Sequence, residues 1–282
     1  MNIRFVTIGS DPEFFIVDSN GKPVSVAPFS AGTKDEPVPL PQLGDGFFEQ
    51  RDNLSFEGNI PPARDKNEFI TNIILLRNYF LSKIASHGLR LSDRGVLYFD
   101  EEDLCSPEGM EFGCSSVYSA WESCLNNAVE QPTPSLKDKP YRVAGFHIHI
   151  GYRCSEFMYD IFGNNKINID ILIARLFDMV VTLPSHRICD EPERLQSYGA
   201  FGRFRSKSYG VECRTLSAFF SQPEHLEWVW DHVMEIERII NEADMRVLYE
   251  LVLRRHSLPK NVNKAKEYLT ETIFKPVFNL NR

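Results

Sequence analysis

The heptapeptide Gly145-Phe146-His147-Ile148-His149-Ile150-Gly151 constrains this chain more than any other stretch. Side chains of an extended strand alternate between its two faces, so Phe146, Ile148 and Ile150 share one side and His147 and His149 the other. The spacing predicts one strongly alternating strand over 141–152. Three further segments repeat the pattern. Asp11 and Glu13 lie two apart in Ser-Asp-Pro-Glu, Glu57 points away from Leu54 and Phe56, and Glu212 and Arg214 oppose Val211 and Cys213. If these four strands are neighbours, one sheet face becomes a platform of carboxylates, two imidazoles and a guanidinium.

Such a platform suits divalent cations. Magnesium and manganese favour oxygen ligands, and manganese also accepts imidazole. Phosphates carried by those cations call for positive side chains, which Tyr198-Gly-Ala-Phe-Gly-Arg-Phe-Arg-Ser-Lys207 offers as Arg203, Arg205 and Lys207. Gly199 and Gly202 allow close backbone approach there, and Gly145 and Gly151 leave room above the histidine strand. Each motif alone has a plainer reading: a solvated strand face for the histidines, surface carboxylates for Glu13 and Glu57, a structural ion pair for Glu212 and Arg214, a basic turn for Arg203 to Lys207. Only the combination carries chemistry.

The 282 residues fit one large domain or two small ones. A net charge of −8 argues against a broad nucleic-acid surface, which runs on phosphate neutralisation, but not against a local basic pocket. The six cysteines, Cys105, Cys114, Cys124, Cys154, Cys189 and Cys213, form no CxxC pair. Met1 to Ser10 has one basic residue and no long apolar run, and no stretch reaches membrane-span length. The expectation is a cytoplasmic protein with reduced thiols.

Strands are expected at 3–8, 13–17, 53–60 and 208–216, with short ones at 89–92 and 95–99. A long loop should occupy 22–52, an acidic loop 100–115 and a connector 130–140. Helices are expected at 63–86, with Gly88 as its cap, at 168–183, from Ser221-Gln-Pro-Glu224 (a capping box) to about 256 with a break, and at 262–271. Single strands without regular crossover helices favour an α+β fold with an antiparallel sheet, in one catalytic domain over 1–282 whose part 224–282 is helical.

Five ordered segments resemble the phage-type carboxylate–amine ligases of the glutamine synthetase and glutamate–cysteine ligase fold. They are Gly9-Ser-Asp-Pro-Glu-Phe-Phe15, Phe56-Glu-Gly-Asn-Ile-Pro-Pro-Ala63, Gly145 to Gly151, Tyr198-Gly-Ala-Phe-Gly-Arg-Phe-Arg205 and Gly210-Val-Glu-Cys-Arg-Thr-Leu-Ser217. The resemblance implies that Glu13, Glu57, His147 and Glu212 hold metal, and that His149, Arg203, Arg205, Lys207 and Arg214 meet the nucleotide phosphates. Arg205 and Arg214 would also stabilise charge in the reaction. Gly58 departs from the pattern, where a phenylalanine is expected; its effect should be looser packing.

The implied reaction uses ATP with Mg2+ or Mn2+. Phosphorylation turns a carboxylate into an acyl phosphate with a good leaving group, and an amine then attacks. Asp45 or Asp11 are candidate bases. Expected partners are ATP and small-molecule or peptide carboxylates and amines, with a modified nucleobase also compatible; a homo-oligomer fits the wider relatives, and a phage-encoded chain would act in host cytoplasm. Two rivals remain at this stage: a metal-dependent hydrolase built on the two histidines, and a non-catalytic nucleotide-binding protein of the same fold.

Overall fold

The computed structural model describes residues 1–111, 117–132 and 135–275. Cys114 and parts of the expected 100–115 and 130–140 loops lie outside them. Nine strands form one antiparallel sheet: β1 (Ile3–Phe14), β2 (Val38–Pro39), β3 (Phe48–Asp52), β4 (Ser55–Asn59), β5 (Val117–Ser119), β6 (Glu130–Gln131), β7 (Phe146–Cys154), β8 (Arg203–Lys207) and β9 (Gly210–Cys213). Their spatial order is β6-β5-β8-β9-β7-β1-β4-β3-β2. The long strands β1 and β7 therefore sit centrally, side by side.

The apolar residues of these strands face helices. Phe146, Ile148 and Ile150 of β7, Val211 and Cys213 of β9 and Phe204 of β8 are all buried in one core. Helix α1 (Lys66–Ile84) buries Phe69, Ile73, Leu76, Phe80 and Ile84, the residues its period predicts. Each such side chain contributes roughly 1.5–3 kcal/mol when removed from water. Asp65 caps the helix by accepting from the Glu68 amide, and Gly88, in the left-handed region at φ 69°, closes its C-terminal turn. Helix α2 (Lys166–Phe177) runs on through a π-helical turn, Asp178–Thr182, to Ser185. Helix α3 (Pro223–Glu242) lays Leu226, Val229, Val233, Ile236 and Ile240 on the core, and α4 (Met245–Leu253) follows the expected break.

Several boundaries differ from expectation for identifiable reasons. Residues 3–14 form one strand because a bulge between Phe5 and Thr7 restores the apolar phase, so that Ile3, Phe5 and Ile8 all reach the core. The stretch 141–152 is two strands: Tyr141–Val143 pairs with Val96–Tyr98 in a small sheet of its own, and Phe146 begins β7. Within 22–52, β2 and β3 extend the main sheet and Pro23–Val24 joins Ile16–Val17 and Arg90–Leu91. The expected 208–216 strand is the second arm of a tight hairpin whose first arm, β8, contains the basic segment. No capping box forms before α3: its N-cap is Gln222, without a side-chain bond, and the Ser221 hydroxyl donates to Ala218.

Gly58 is tightly packed, contrary to the looser packing expected of it. A Cβ there would lie 2.7 Å from Leu76 Cδ2 and 3.0 Å from Phe80 Cε2, because those two side chains fill the space. Gly58→Phe should therefore lower unfolding free energy by about 1–3 kcal/mol through overpacking, measured by urea titration; unchanged stability would show that α1 can move aside.

Candidate active site

Strand register assembles the polar face. Pairing of β1 with β7 sets Asp11 opposite His147 and Gly9 opposite His149. His149 then pairs with Glu212 on β9, Glu212 with Arg205 on β8, and Glu13 with Glu57 on β4. Paired residues project from the same face. The four sequence motifs thus do neighbour one another, and the platform exists.

Asp11 stands at its centre. His147 Nδ1 and His149 Nε2 each lie 3.2 Å from Asp11 Oδ1, and His147 Nε2 lies 3.7 Å from Glu13 Oε1. Buried Glu212 meets three cations: Arg214 Nη1, Lys207 Nζ at 2.8 Å and Arg205 Nη1 at 3.2 Å. The Tyr209 hydroxyl is 2.6 Å from His149 Nδ1 and orients that ring. Arg194, from the short helix Pro192–Leu195, donates to the carbonyls of Ala144, Arg214 and Leu216 and so fixes the strand end that carries Arg214.

The electrostatics divide the carboxylates into two groups. Burial favours a protonated Asp11, but His149 and His147 outweigh it and hold the carboxyl well below its ordinary value. Burial likewise works against ionised Glu212, and Arg214 overcomes it, pulling the group down to about 2. His149 is raised because Asp11 and Glu212 outweigh its own burial, whereas burial and then Arg214 push His147 down to about 4. Glu13 and Glu57 behave oppositely. Burial, followed by the charge of Asp52, raises Glu13 to about 8 and Glu57 well above its ordinary value.

The donor atoms fit a divalent cation. One ligand atom each from Asp11, His149 and Glu212 lies within 4.8 Å of the others. Asp11 Oδ1 and His149 Nε2 are buried and, despite their proximity, make no aligned hydrogen bond; Glu57 Oε2 is also buried without one. Two carboxylates and an imidazole are ligands that magnesium or manganese accepts.

Two cavities flank this row along the strand direction. One is a narrow cleft bordered by Glu13, Asp52, His147, Arg142, Arg194 and Arg214. The other, about 420 Å³, is bordered by Gly9, Ile60, Pro62, His149, Gly151 and Tyr209. Gly151 borders that space, but a Cβ there would lie 2.4 Å from Thr7 Oγ1, so its room is taken up by protein rather than left open as expected. Gly145 likewise makes room for protein groups, since a Cβ there would lie 2.5 Å from His147 Nε2 and 3.1 Å from Arg194 Nη2.

The structure thus brings Glu13, Glu57, His147, His149, Arg205, Lys207, Glu212 and Arg214 onto one surface. It makes Asp11 the hub, where the sequence reading had placed it on the platform beside Glu13 and offered it as a base, and groups His149 rather than His147 with Glu212. Arg203 borders a third cavity, beyond this row. Asp45 is exposed in the loop before β3 and shares none of these contacts. Asp52, Arg194 and Tyr209 were missed: the last two sit in a short helix and a hairpin turn with no periodic signal, while Asp52 ends a strand inside the segment read as loop.

A family model for phage phiEco32-like COOH.NH2 ligases of type 2 matches residues 115–255, half of the chain. The chain belongs to that family. The matched span holds the histidine strand, the basic hairpin and Glu212; the family's match does not reach β1 and β4, which supply Asp11, Glu13 and Glu57. Among solved structures, one described as a novel glutamine synthase homolog aligns over 99% of this chain and 65% of its own at 13% identity, with a TM-score of 0.37. A complex of GmaS with ADP aligns over 95% and 64% at 13% identity and TM-score 0.38, and GmaS without ligand over 98% and 65% at 14% and 0.37. The chain therefore spans about 65% of the length of the structures it matches. No curated protein matches it. Among the described residues, the five cysteines are free and no helix is long and apolar enough to cross a membrane.

Acids whose folded-state pKa lies above the unfolded value hold protons in the folded protein that the unfolded chain has released. Their contribution is present at low pH and is lost as pH rises through the folded value. Between about pH 4.5 and 6.5 His147, lowered to about 4, works in the opposite direction, so metal-free protein should lose melting temperature between about pH 6.5 and pH 8, where Glu13 still titrates. In chelator the decline should be shallower for Glu57→Gln, and added magnesium should offset it. Thermal melts across that range check this; a flat profile would show that the Glu13–Glu57 pair is not strained by its charge.

Proposed function

We propose that the chain is an ATP-dependent ligase joining a carboxylate to an amine through an acyl phosphate. The observation that carries this reading is the juxtaposition, on one sheet face, of the Asp11–His149–Glu212 trio with Arg205, Lys207 and Arg214. A reaction that brings a carboxylate against a polyphosphate must offset two anions, and this row holds anionic ligands for a cation beside cations for phosphate.

Asp11, His149 and Glu212 would hold Mg2+ or Mn2+, with Glu13 and Glu57 as further ligands; when bound, the ion neutralises phosphate charge. Arg205 and Lys207 lie on the His149 side, so the larger cavity of Gly9, Gly151 and Tyr209 suits the nucleotide. The narrow cleft at Glu13, His147 and Arg214 suits the acid and the amine. In the first step a carboxylate oxygen attacks the γ-phosphorus and ADP leaves with the bond electrons. The amine nitrogen then attacks the acyl carbon, inorganic phosphate departs, and the nitrogen gives up its proton. Asp52, which borders the cleft, is better placed to receive that proton than exposed Asp45. Arg214 keeps its charge throughout, since Glu212 outweighs its burial and raises it.

Calorimetric titration with ATP should show binding that requires magnesium or manganese and that Glu212→Ala weakens by at least tenfold. Phosphate release should then depend on both an acid and an amine. ATP binding that needs no divalent ion, or folded protein that binds no ATP, would sink the ligase reading. Arg205→Gln should keep the fold and lower nucleotide affinity by roughly 10- to 150-fold in the same titration, since a charged hydrogen bond is worth about 1.5–3 kcal/mol.

A further inference from the structure

A third cavity, about 450 Å³, lies on the far side of the segment 194–203 from the narrow cleft. That segment is a shared wall. Arg194 and Tyr198 border the cleft, whereas Leu195, Ala200, Phe201 and Arg203 border the cavity. Trp121 and the segment of Leu258, Pro259 and Val262 enclose it from the other sides. Its size falls within the range of small-molecule sites, roughly 300–1,000 Å³, and its walls are mixed: Ser119, Gln131 and Gln196 join the charged groups beside the apolar side chains.

The polar groups favour an anion. Arg203 is partly buried, and its Nη1 is a buried donor without a hydrogen-bond partner. Burial pulls its pKa down, only partly offset by the charge of Glu122. Glu122 is exposed at the cavity margin, and no ion pair between the two forms in the described structure. Lys260 is a second, exposed cation on the margin. A partly desolvated guanidinium with an idle N–H gains most from a carboxylate or phosphate oxygen, which also binds it with favourable geometry. Leu195, Phe201 and Leu258 supply apolar surface in the same cavity.

We propose that this cavity is a second small-molecule site, taking a ligand with an apolar body and one anionic head, carboxylate or phosphate, received by Arg203. It does not depend on the ligase reading. Because its wall also carries Arg194, which fixes the strand end bearing Arg214, a ligand here would brace the neighbouring cleft.

The test uses the full chain and three probes of similar shape: 3-phenylpropionate, phenyl phosphate and uncharged 3-phenylpropanol, titrated by calorimetry or ligand-observed NMR. At least one anionic probe should bind tenfold or more tighter than the alcohol, and the tighter of the two identifies the head group. Arg203→Gln should abolish that preference. Ala200→Leu, which narrows the cavity without touching charge, should weaken all three. Saturating Mg-ATP should leave the anionic probe bound. Equal binding of alcohol and anions, no binding of any probe, insensitivity to both variants, or displacement by Mg-ATP would each overturn the proposal; the last would place the probe in the carboxylate row. Thermal melts of each variant confirm that a lost preference is not lost folding.

Discussion

Everything at the polar face depends on the antiparallel pairing of β1 with β7. That register places Asp11 against His147 and within reach of His149. A slip of one residue would send the carboxylates and imidazoles to the helix side and Phe146, Ile148 and Ile150 to the open side. The helix-side core therefore fixes the chemistry indirectly. Burial of those three residues against α1, α2 and α3 makes the slipped register prohibitively costly, and the polar groups inherit their positions. The bulge at Val6 belongs to the same device, because it keeps both halves of a twelve-residue strand in phase with one core.

The face itself is electrostatically polarised. Glu212 gathers three cations and is held ionised, while Glu13 and Glu57, opposite each other on adjacent strands, are held toward the protonated state by burial and by Asp52. Buried like charges are costly unless neutralised, which is why both groups are held toward the neutral form. Arg194 shows how the surroundings serve this arrangement: its Nη1 and Nη2 donate to three backbone carbonyls and so orient the Arg214 strand.

How much of this was legible depended on whether a residue sat in a periodic element. His147, His149, Glu212, Arg214, Glu13 and Glu57 could be read as one surface because alternation is a property of extended backbone and needs no partner strand. Helix α1 was legible for the same reason at period 3.6. Strand β8 was less so: the cluster Arg203 to Lys207, taken alone, read as a basic turn, yet pairing with Glu212 and Val211 draws Arg205 and Ser206 into the sheet. The strands within 22–52 were hidden by their prolines, since their pairing comes from distant parts of the chain. Gly58 was misread because the side chains that fill its missing phenylalanine's place, Leu76 and Phe80, come from α1.

The sequence by itself determined the two-faced strands, the α+β class and the inventory of groups that could meet metal and phosphate, because each follows from local backbone geometry and side-chain chemistry. Tertiary structure alone decided which of those groups touch. It made Asp11 the hub, set His149 beside Glu212, turned Arg203 toward a separate cavity and recruited Asp52, Arg194 and Tyr209 from segments without periodicity. Those choices rest on strand order and register, which are settled by burial summed over the whole core and so cannot be read from any one segment.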